Sequence, residues 1–277
     1  MKITVVIDNC VPPYIRGPYL AEHGLSLLIE TEGKRILFDT GQSSAVVNNL
    51  SLMGIHPSTL DAIVISHGHY DHAGGLMVLL QHAQKKIPVY AHPDIFQTRV
   101  SIAGKRHSIG IPFTKDQLTE LGAQWHLSST PVEILPNLLF SGQIPKNTAY
   151  EYGDKRLLTC NCHGECVEDP IPDDISLFCK SKEGLRIIGG CTHSGIINTI
   201  QYGFTLTGET HLHTWLGGTH LGPVSSDQQN ETLDALEKMN PQLIAANHCT
   251  GFAMMAALLG RFKERFIPAF VGTVIEW

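Results

Sequence analysis

The chain has 277 residues, 43% of them hydrophobic and 17% charged, with a net charge of −6 when histidine is neutral. That is enough apolar material for a sizeable core, and disorder is not expected. The 20 Lys and Arg are scattered, which argues against a nucleic-acid partner and leaves room for a small anionic one. The length suits a single α/β domain over residues 1–277, with a Cys-rich insertion around 150–174. No apolar run approaches a membrane span, and the short apolar start runs at once into Asp8, Asn9 and two prolines. A cytoplasmic location is expected, in which the seven cysteines stay reduced.

Residues 3–7 read as a first strand, and 10–22 as an irregular loop punctuated by Pro12, Pro13 and Pro18. Residues 25–30 and 35–39 read as a hairpin turning at 31–34 and closing on Asp39. A helix is expected over 43–53, capped by Ser43 or Ser44. Ala62, Ile63, Val64 and Ile65 make a buried strand, and 76–84 a helix. Between them lies I-S-H-G-H-Y-D-H-A-G-G-L, residues 65–76. His67, His69, Asp71 and His72 fall within six positions there, and all four are types that bind divalent metals. In a tight loop His67 and His69 can grip one ion while Asp71 and His72 reach a second. Two such ions would lie roughly 3.5–4 Å apart with a water between them. A surface loop that happens to be rich in histidine is the alternative.

Residues 89–92 read as a strand, and Pro93 as the first residue of a short helix. Residues 101–113 show no clear period and read as a loop over the site, where Arg106 and His107 reach either substrate or solvent. Thr114 and Gln117 match a capping box. Strands follow at 124–127, 132–135 and 138–141. Cys160, Cys162, His163 and Cys166 then crowd seven positions, at a spacing that is neither that of a zinc ribbon nor that of a ferredoxin. A reduced hairpin or loop, an additional soft-metal or redox site, and a disulfide formed on oxidation are all open.

Residues 175–179 and 186–190 read as a second strand pair, with Cys191 and His193 just beyond it and a helix from Ser194. A strand at 214–217 ends near His220. Ser226–Met239 reads as an amphipathic helix with Ser226 and Gln229 as a second capping box. Leu243–Ala246 is a strand ending at His248, a helix runs over 250–262, and 271–276 close the chain as a strand. Strand pairs and strand–helix units in both halves suggest two sheets packed face to face with helices outside, an α/β (α+β) four-layer αββα sandwich.

The H-x-H-x-D-H run resembles the signature of the metallo-β-lactamase superfamily. The segments E-H-G-L-S at 22–26, I-L-F-D-T-G at 36–41 and S-G-Q-I-P-K at 141–146 narrow the resemblance, as do G-C-T-H-S-G-I at 190–196, G-G-T-H-L at 217–221 and N-H-C-T-G at 247–251. Together they look like the branch of 7,8-dihydropterin-6-methyl-4-(β-D-ribofuranosyl)aminobenzene 5′-phosphate synthases, over nearly the whole chain. The resemblance implies the αββα fold and a dinuclear site. His67, His69 and His193 would hold one ion, and Asp71, His72 and His248 the other. It also implies that Asp39 orients a ligand histidine. His220 is a ligand, a proton donor or a structural group, and His23 a candidate to line the pocket. One departure stands out: many members carry Gly-Asp, with a bridging aspartate, where this chain has Gly190-Cys191. Either Cys191 bridges as a thiolate or solvent alone does. Zinc, manganese and iron all suit such ligands.

The reading that follows is a metal-dependent hydrolase acting on a phosphoester or another anionic small molecule, with Asp71 and His220 at the reacting centre and a metal-activated water as nucleophile. Helix starts after His193 and His248 would add N–H groups and a positive dipole end for the anion, and Lys146 either adds charge or is solvated. The resemblance implies a second reading, a transferase joining a dihydropterin to a ribosyl-aminobenzene phosphate. A third is a metal- or redox-sensing protein built on Cys160, Cys162 and Cys166.

Overall fold

The computed structural model describes every residue from Met1 to Trp277. In chain order the strands and helices begin with β1 (Lys2–Ile7), β2 (Ser26–Thr31), β3 (Lys34–Phe38), α1 (Ala45–Leu52) and β4 (Ala62–Val64). Then come α2 (Tyr70–Ala73), α3 (Leu76–Ala83), β5 (Ile87–Ala91), β6 (Thr98–Ser101), β7 (His107–Ser108), α4 (Lys115–Glu120) and β8 (Ala123–Leu127). The middle of the chain holds β9 (Val132–Leu135), β10 (Leu138–Phe140), β11 (Leu157–Cys160), β12 (Cys166–Glu168), β13 (Ser176–Cys179) and β14 (Leu185–Gly189). The last elements are α5 (Ile196–Thr207), β15 (Leu212–Gly217), α6 (Ser226–Met239), β16 (Leu243–Ala246), α7 (Phe252–Phe262), β17 (Phe266–Pro268) and β18 (Val274–Glu276). No helix is long and apolar enough to cross a membrane.

The elements group into two compact units. The first comprises Met1–Leu127, Arg156–Asp169 and Phe270–Trp277. Its main sheet has the order β18-β1-β2-β3-β4-β5-β8. From β18 to β3 neighbours are antiparallel, and from β3 to β8 they are parallel. β1 is apolar along nearly its whole length and buried after Lys2, as a strand covered on both faces must be. In α3, Leu76, Leu79, Leu80 and Ala83 recur at helical spacing and are buried. With Val46 and Leu50 of α1 they share one apolar cluster with Val6, Leu37 and Ile63 of the sheet. Each such leucine contributes roughly 1.5–3 kcal/mol relative to exposure. The β2–β3 turn places Glu32 and Gly33 at positive φ, the geometry that suits the strand twist.

The second unit comprises Ser128–Lys155 and Pro170–Ala269. Its sheet has the order β17-β16-β15-β14-β13-β10-β9. Again one half is antiparallel, β9 to β14, and the other parallel, β14 to β17. Ile196, Ile197 and Ile200 of α5, Leu233 and Leu236 of α6, and Met254 and Leu258 of α7 pack with Trp215 and Ile244 of the sheet.

Several expectations change. Residues 101–113 are not wholly loop: β6 and β7 pair there and join β11 and β12 in a third, four-stranded sheet of the first unit. The Cys-rich stretch is the β11–β12 hairpin, with Cys160 directly opposite Cys166 and joined to it in a disulfide. That takes two sulfurs from the soft-metal set considered above, and Cys162 remains an exposed free thiol. The cap of α6 is Ser225, whose hydroxyl accepts from the Gln228 N–H, and Gln229 donates instead to the Leu221 carbonyl. Helix α5 starts at Ile196 rather than Ser194, because Gly195 turns the chain with φ 95° first. The Thr114–Gln117 capping box and the short 3₁₀ turn from Pro93 form as read.

Candidate metal centre

In a sheet, neighbouring parallel strands end together, so loops at their carboxyl ends gather side chains along one edge. In the first unit the loop after β4 carries the histidine cluster. His67 and His72 are fully buried, and His69 and Asp71 are 5% and 6% exposed. His69 caps α2, which carries Asp71 and His72. The His67 Nε2 and His69 Nδ1 atoms lie 2.9 Å apart, and the His67 and His72 rings 4.2 Å apart. Asp71 Oδ2 lies 3.6 Å from His72 Nε2 and 3.2 Å from His23 Nε2, so His23 sits against the cluster.

Asp39, at the end of β3, explains why the rings face as they do. Its carboxylate is fully buried and accepts from the Ser66 N–H and hydroxyl, both at 2.7 Å. It lies 2.7 Å from His72 Nδ1. A carboxylate only accepts, so His72 carries its proton on Nδ1 and turns the Nε2 lone pair outward. The Ser66 hydroxyl is spent on Asp39 and therefore accepts from His67 Nδ1 at 2.9 Å, which fixes the same tautomer there. The role expected for Asp39 is thus visible in its contacts. Ser66, one residue before the motif, was not singled out from the sequence.

The loop is clamped from behind. A Cβ at Gly68 would lie 1.9 Å from the Ile95 carbonyl oxygen and 2.6 Å from Arg99 Nη1. Arg99, on β6, is itself buried against Asp169 at 2.7 Å. The Tyr70 N–H donates to the Ile109 carbonyl, and His69 bridges to Gly110. Of the stretch read as a loop over the site, Ile109 and Gly110 thus brace the histidine loop from behind.

In the second unit, β14, β15 and β16 run parallel and deliver Cys191 with His193, then His220, then His248. Ligand atoms of Cys191, His193 and His220 all lie within 4.8 Å of one another, as do those of Cys191, His248 and Cys249. The His193 and His220 rings are 4.2 Å apart. Both ring nitrogens of His220 are buried without a hydrogen bond, and Nε2 lies 4.0 Å from Asp154 Oδ2. Four non-glycine residues of the two site edges hold positive φ: Asp39 (60°), Thr192 (65°), His220 (48°) and His248 (49°). Such backbone costs on the order of 1–3 kcal/mol per residue and clusters where side-chain aim matters.

Two buried carboxylates brace this edge. Asp174 accepts from the Ser194 N–H at 2.8 Å. Burial pushes its carboxyl up from the ordinary range, against the hydrogen bonding of Ser194. Glu151 closes the start of α5, taking the Ile197 N–H on Oε1 and the Asn198 N–H on Oε2. Burial raises its carboxyl as well. This corrects the expected anion pocket at α5: the chain's own carboxylate already fills it. Lys146 is exposed and donates to the Pro170 carbonyl. Arg106 lies over the disulfide, 2.9 Å from Cys166 Sγ. The start of α7, after His248, has no side-chain cap.

Cys249 has no sequence signal beyond its place in N-H-C-T-G. Burial would raise its thiol, but contacts with Cys191 and His220 and the charges of His248 and His220 outweigh that and hold it well below the ordinary thiol range. Glu151 and Asp174 had no local signal beyond being acidic. The donor chemistry fits divalent d-block cations: lone pairs converge from fixed tautomers, and a buried imidazole has ring nitrogens without hydrogen bonds.

The family model of the metallo-beta-lactamase superfamily matches residues 20–129. The chain is 32% identical over 270 residues to 7,8-dihydropterin-6-methyl-4-(beta-D-ribofuranosyl)-aminobenzene-5′-phosphate synthase of Methanocaldococcus jannaschii, covering 94% of this chain and 92% of that protein. It is 35% identical to an uncharacterized protein of the same organism, covering 99% of each. Among solved structures, a metal-dependent hydrolase of the beta-lactamase superfamily matches with a TM-score of 0.85 at 25% identity, over 100% of this chain and 99% of that one.

Proposed function

The chain belongs to the metallo-β-lactamase superfamily and has its fold, and from that premise we propose that it is a metal-dependent hydrolase of a phosphoester or another small anionic molecule. The observation that carries the reading is the residue set at each sheet edge. One unit presents His67, His69, Asp71 and His72 with fixed tautomers, and the other presents Cys191, His193, His220 and His248. In this reading His67, His69 and His193 serve one divalent ion and Asp71, His72 and His248 a second, with Cys191 where many members place a bridging aspartate. Zinc, manganese and iron are the candidates.

Divalent ions in such a set polarise a phosphoryl oxygen and make water more acidic. The remaining work belongs to the chain. Asp39 and Ser66 hold His72 and His67 in the tautomer that leaves Nε2 basic. Asp71, steadied by His23, brings negative charge against the ligand rings. His220, with Asp154 behind it, has nitrogens available to hand a proton to a leaving group. The uncapped start of α7 suits the substrate's anionic group.

The test is hydrolysis of bis-p-nitrophenyl phosphate by metal-loaded wild type and His248→Ala, with circular dichroism as the folding control. Most of the activity should disappear in the variant. Equal rates would remove His248 from the machinery. A second reading is favoured by the identity to the synthase over 94% of the chain: a transferase acting on a pterin and an aminobenzene ribosyl phosphate. Wild type that turns over no phosphoester with any of the three metals, yet joins such partners, would establish that reading instead.

A further inference from the structure

Cys249 has no part in the reading above, and its surroundings are not those of a packing residue. β14, β15 and β16 are in parallel register, Gly189 beside Gly217 and Gly217 beside Ala246. Chain leaving β14 and chain leaving β16 therefore emerge at the same edge, and the sulfurs of Cys191 and Cys249 come within 4.8 Å of each other and of a His248 ring nitrogen. A buried cysteine acting as a small hydrophobe sits among apolar side chains. Cys249 Sγ instead donates to the Cys191 carbonyl at 3.5 Å and accepts the His220 N–H at 3.3 Å. The neighbouring chain makes room for it. A Cβ at Gly218 would lie 2.6 Å from this sulfur and 2.6 Å from the Gly190 carbonyl oxygen, so any side chain there would displace the thiol. Beside it stands His220, whose ring nitrogens are buried without hydrogen bonds.

We infer that Cys249 and Cys191 together ligate a cation through sulfur, with His248, and that this edge selects a thiophilic divalent ion over manganese. The inference rests on the dinuclear reading and deepens it by naming the class of metal. Soft thiolates favour zinc, cobalt(II) and cadmium, whereas carboxylate and water ligands suit manganese. An N–H donated to sulfur is the kind of outer contact that tunes a metal-bound thiolate. Each cysteine gives up its proton to solvent as the metal–sulfur bond forms, with no change of oxidation state, so binding releases protons.

The experiment loads the reduced full-length chain with cobalt(II) and reads the near-ultraviolet sulfur-to-cobalt charge-transfer absorption, with metal content measured alongside. Wild type should show the band, Cys249→Ser and Cys191→Ser should each lose about half of it, and the double variant should lack it. An unchanged band in Cys249→Ser overturns the inference. Cobalt bound without any such band overturns it too, but leaves the hydrolase reading standing. Failure to bind cobalt, zinc or manganese at all defeats both. Should Cys249→Ser not fold, alkylation of wild type decides. Zinc should slow Cys249 alkylation at least about tenfold and leave exposed Cys162 unaffected. Equal rates at Cys249 with and without zinc overturn the inference.

Discussion

Glu151 offers a quantitative test of how the second unit is held. Its carboxylate is 4% exposed and takes three hydrogen bonds: Ile197 N–H at 2.9 Å, Asn198 N–H at 2.9 Å and the Thr148 hydroxyl at 2.8 Å. Glu151→Gln keeps the shape but turns one acceptor into an NH₂ that faces a donor. One buried N–H is orphaned, which costs about 1–3 kcal/mol at acid pH, where a protonated carboxyl can still accept on both oxygens and an amide NH₂ cannot. A loss of about that size is expected in urea unfolding at acid pH. The pH dependence gives the sharper check. Burial raises the Glu151 carboxyl above its unfolded value despite the three bonds. A raised carboxyl means that the folded state holds the proton more tightly. Its stabilising contribution is therefore full below the unfolded carboxylate pKa of about 4.3 and is lost as pH rises through the folded value. Wild type should lose stability relative to Glu151→Gln across that window, so the gap between them narrows toward neutral pH. No destabilisation in the variant, or a gap constant with pH, would refute the account.

Other outcomes follow from the same contacts. Asp39→Asn should weaken metal affinity about 10–100-fold, measured by competition with a chromophoric chelator, because an amide cannot accept from Ser66 and His72 together as the carboxylate does. Asp71→Ala should lose mainly one of two bound ions by elemental analysis, since Asp71 lies on the His72 side of the cluster. In denaturant without reductant, thiol titration should count the five free cysteines, Cys10, Cys162, Cys179, Cys191 and Cys249, and all seven after reduction. Seven thiols before reduction would mean that Cys160 and Cys166 are not bonded in the isolated protein.

What the sequence made legible was whatever depends on local pattern. The apolar run before His67 set β4, and the 3.6-residue spacing of Leu76, Leu79, Leu80 and Ala83 set α3. Four metal-binding residue types within six positions marked the site's first edge without any structure. His193, His220 and His248 were legible because each follows a strand. What escaped depended on contacts distant in sequence. Glu151 reaches residues 46 and 47 positions away, and Arg99 pairs with Asp169 across 70. No window of neighbours contains such a signal. The vacant helix start expected after His193 failed for the same reason, since its N–H groups are taken by a carboxylate from a remote loop. The α6 cap slipped by one residue because Ser225 and Ser226 are equally good caps by type. Backbone direction chose Ser225, which is extended.

The two edges are preorganised by different means, and that bears on how each would respond to damage. In the first unit a buried carboxylate touches a histidine ring of the candidate site itself, so Asp39 sets the His72 tautomer directly. In the second unit Asp174 holds the Ser194 N–H, and the His220 ring is aimed by positive φ and packing without a hydrogen bond to fix it. A ring held only by packing keeps rotational freedom that a ring held by a 2.7 Å contact has lost. The thiolates of Cys191 and Cys249 would supply on this edge what hydrogen bonds supply on the other, because a sulfur–metal bond fixes its own ligand. Loss of Cys249 should then loosen His220 and His248 as well as remove one donor, whereas loss of Asp39 should disturb His72 and leave the second unit's residues in place.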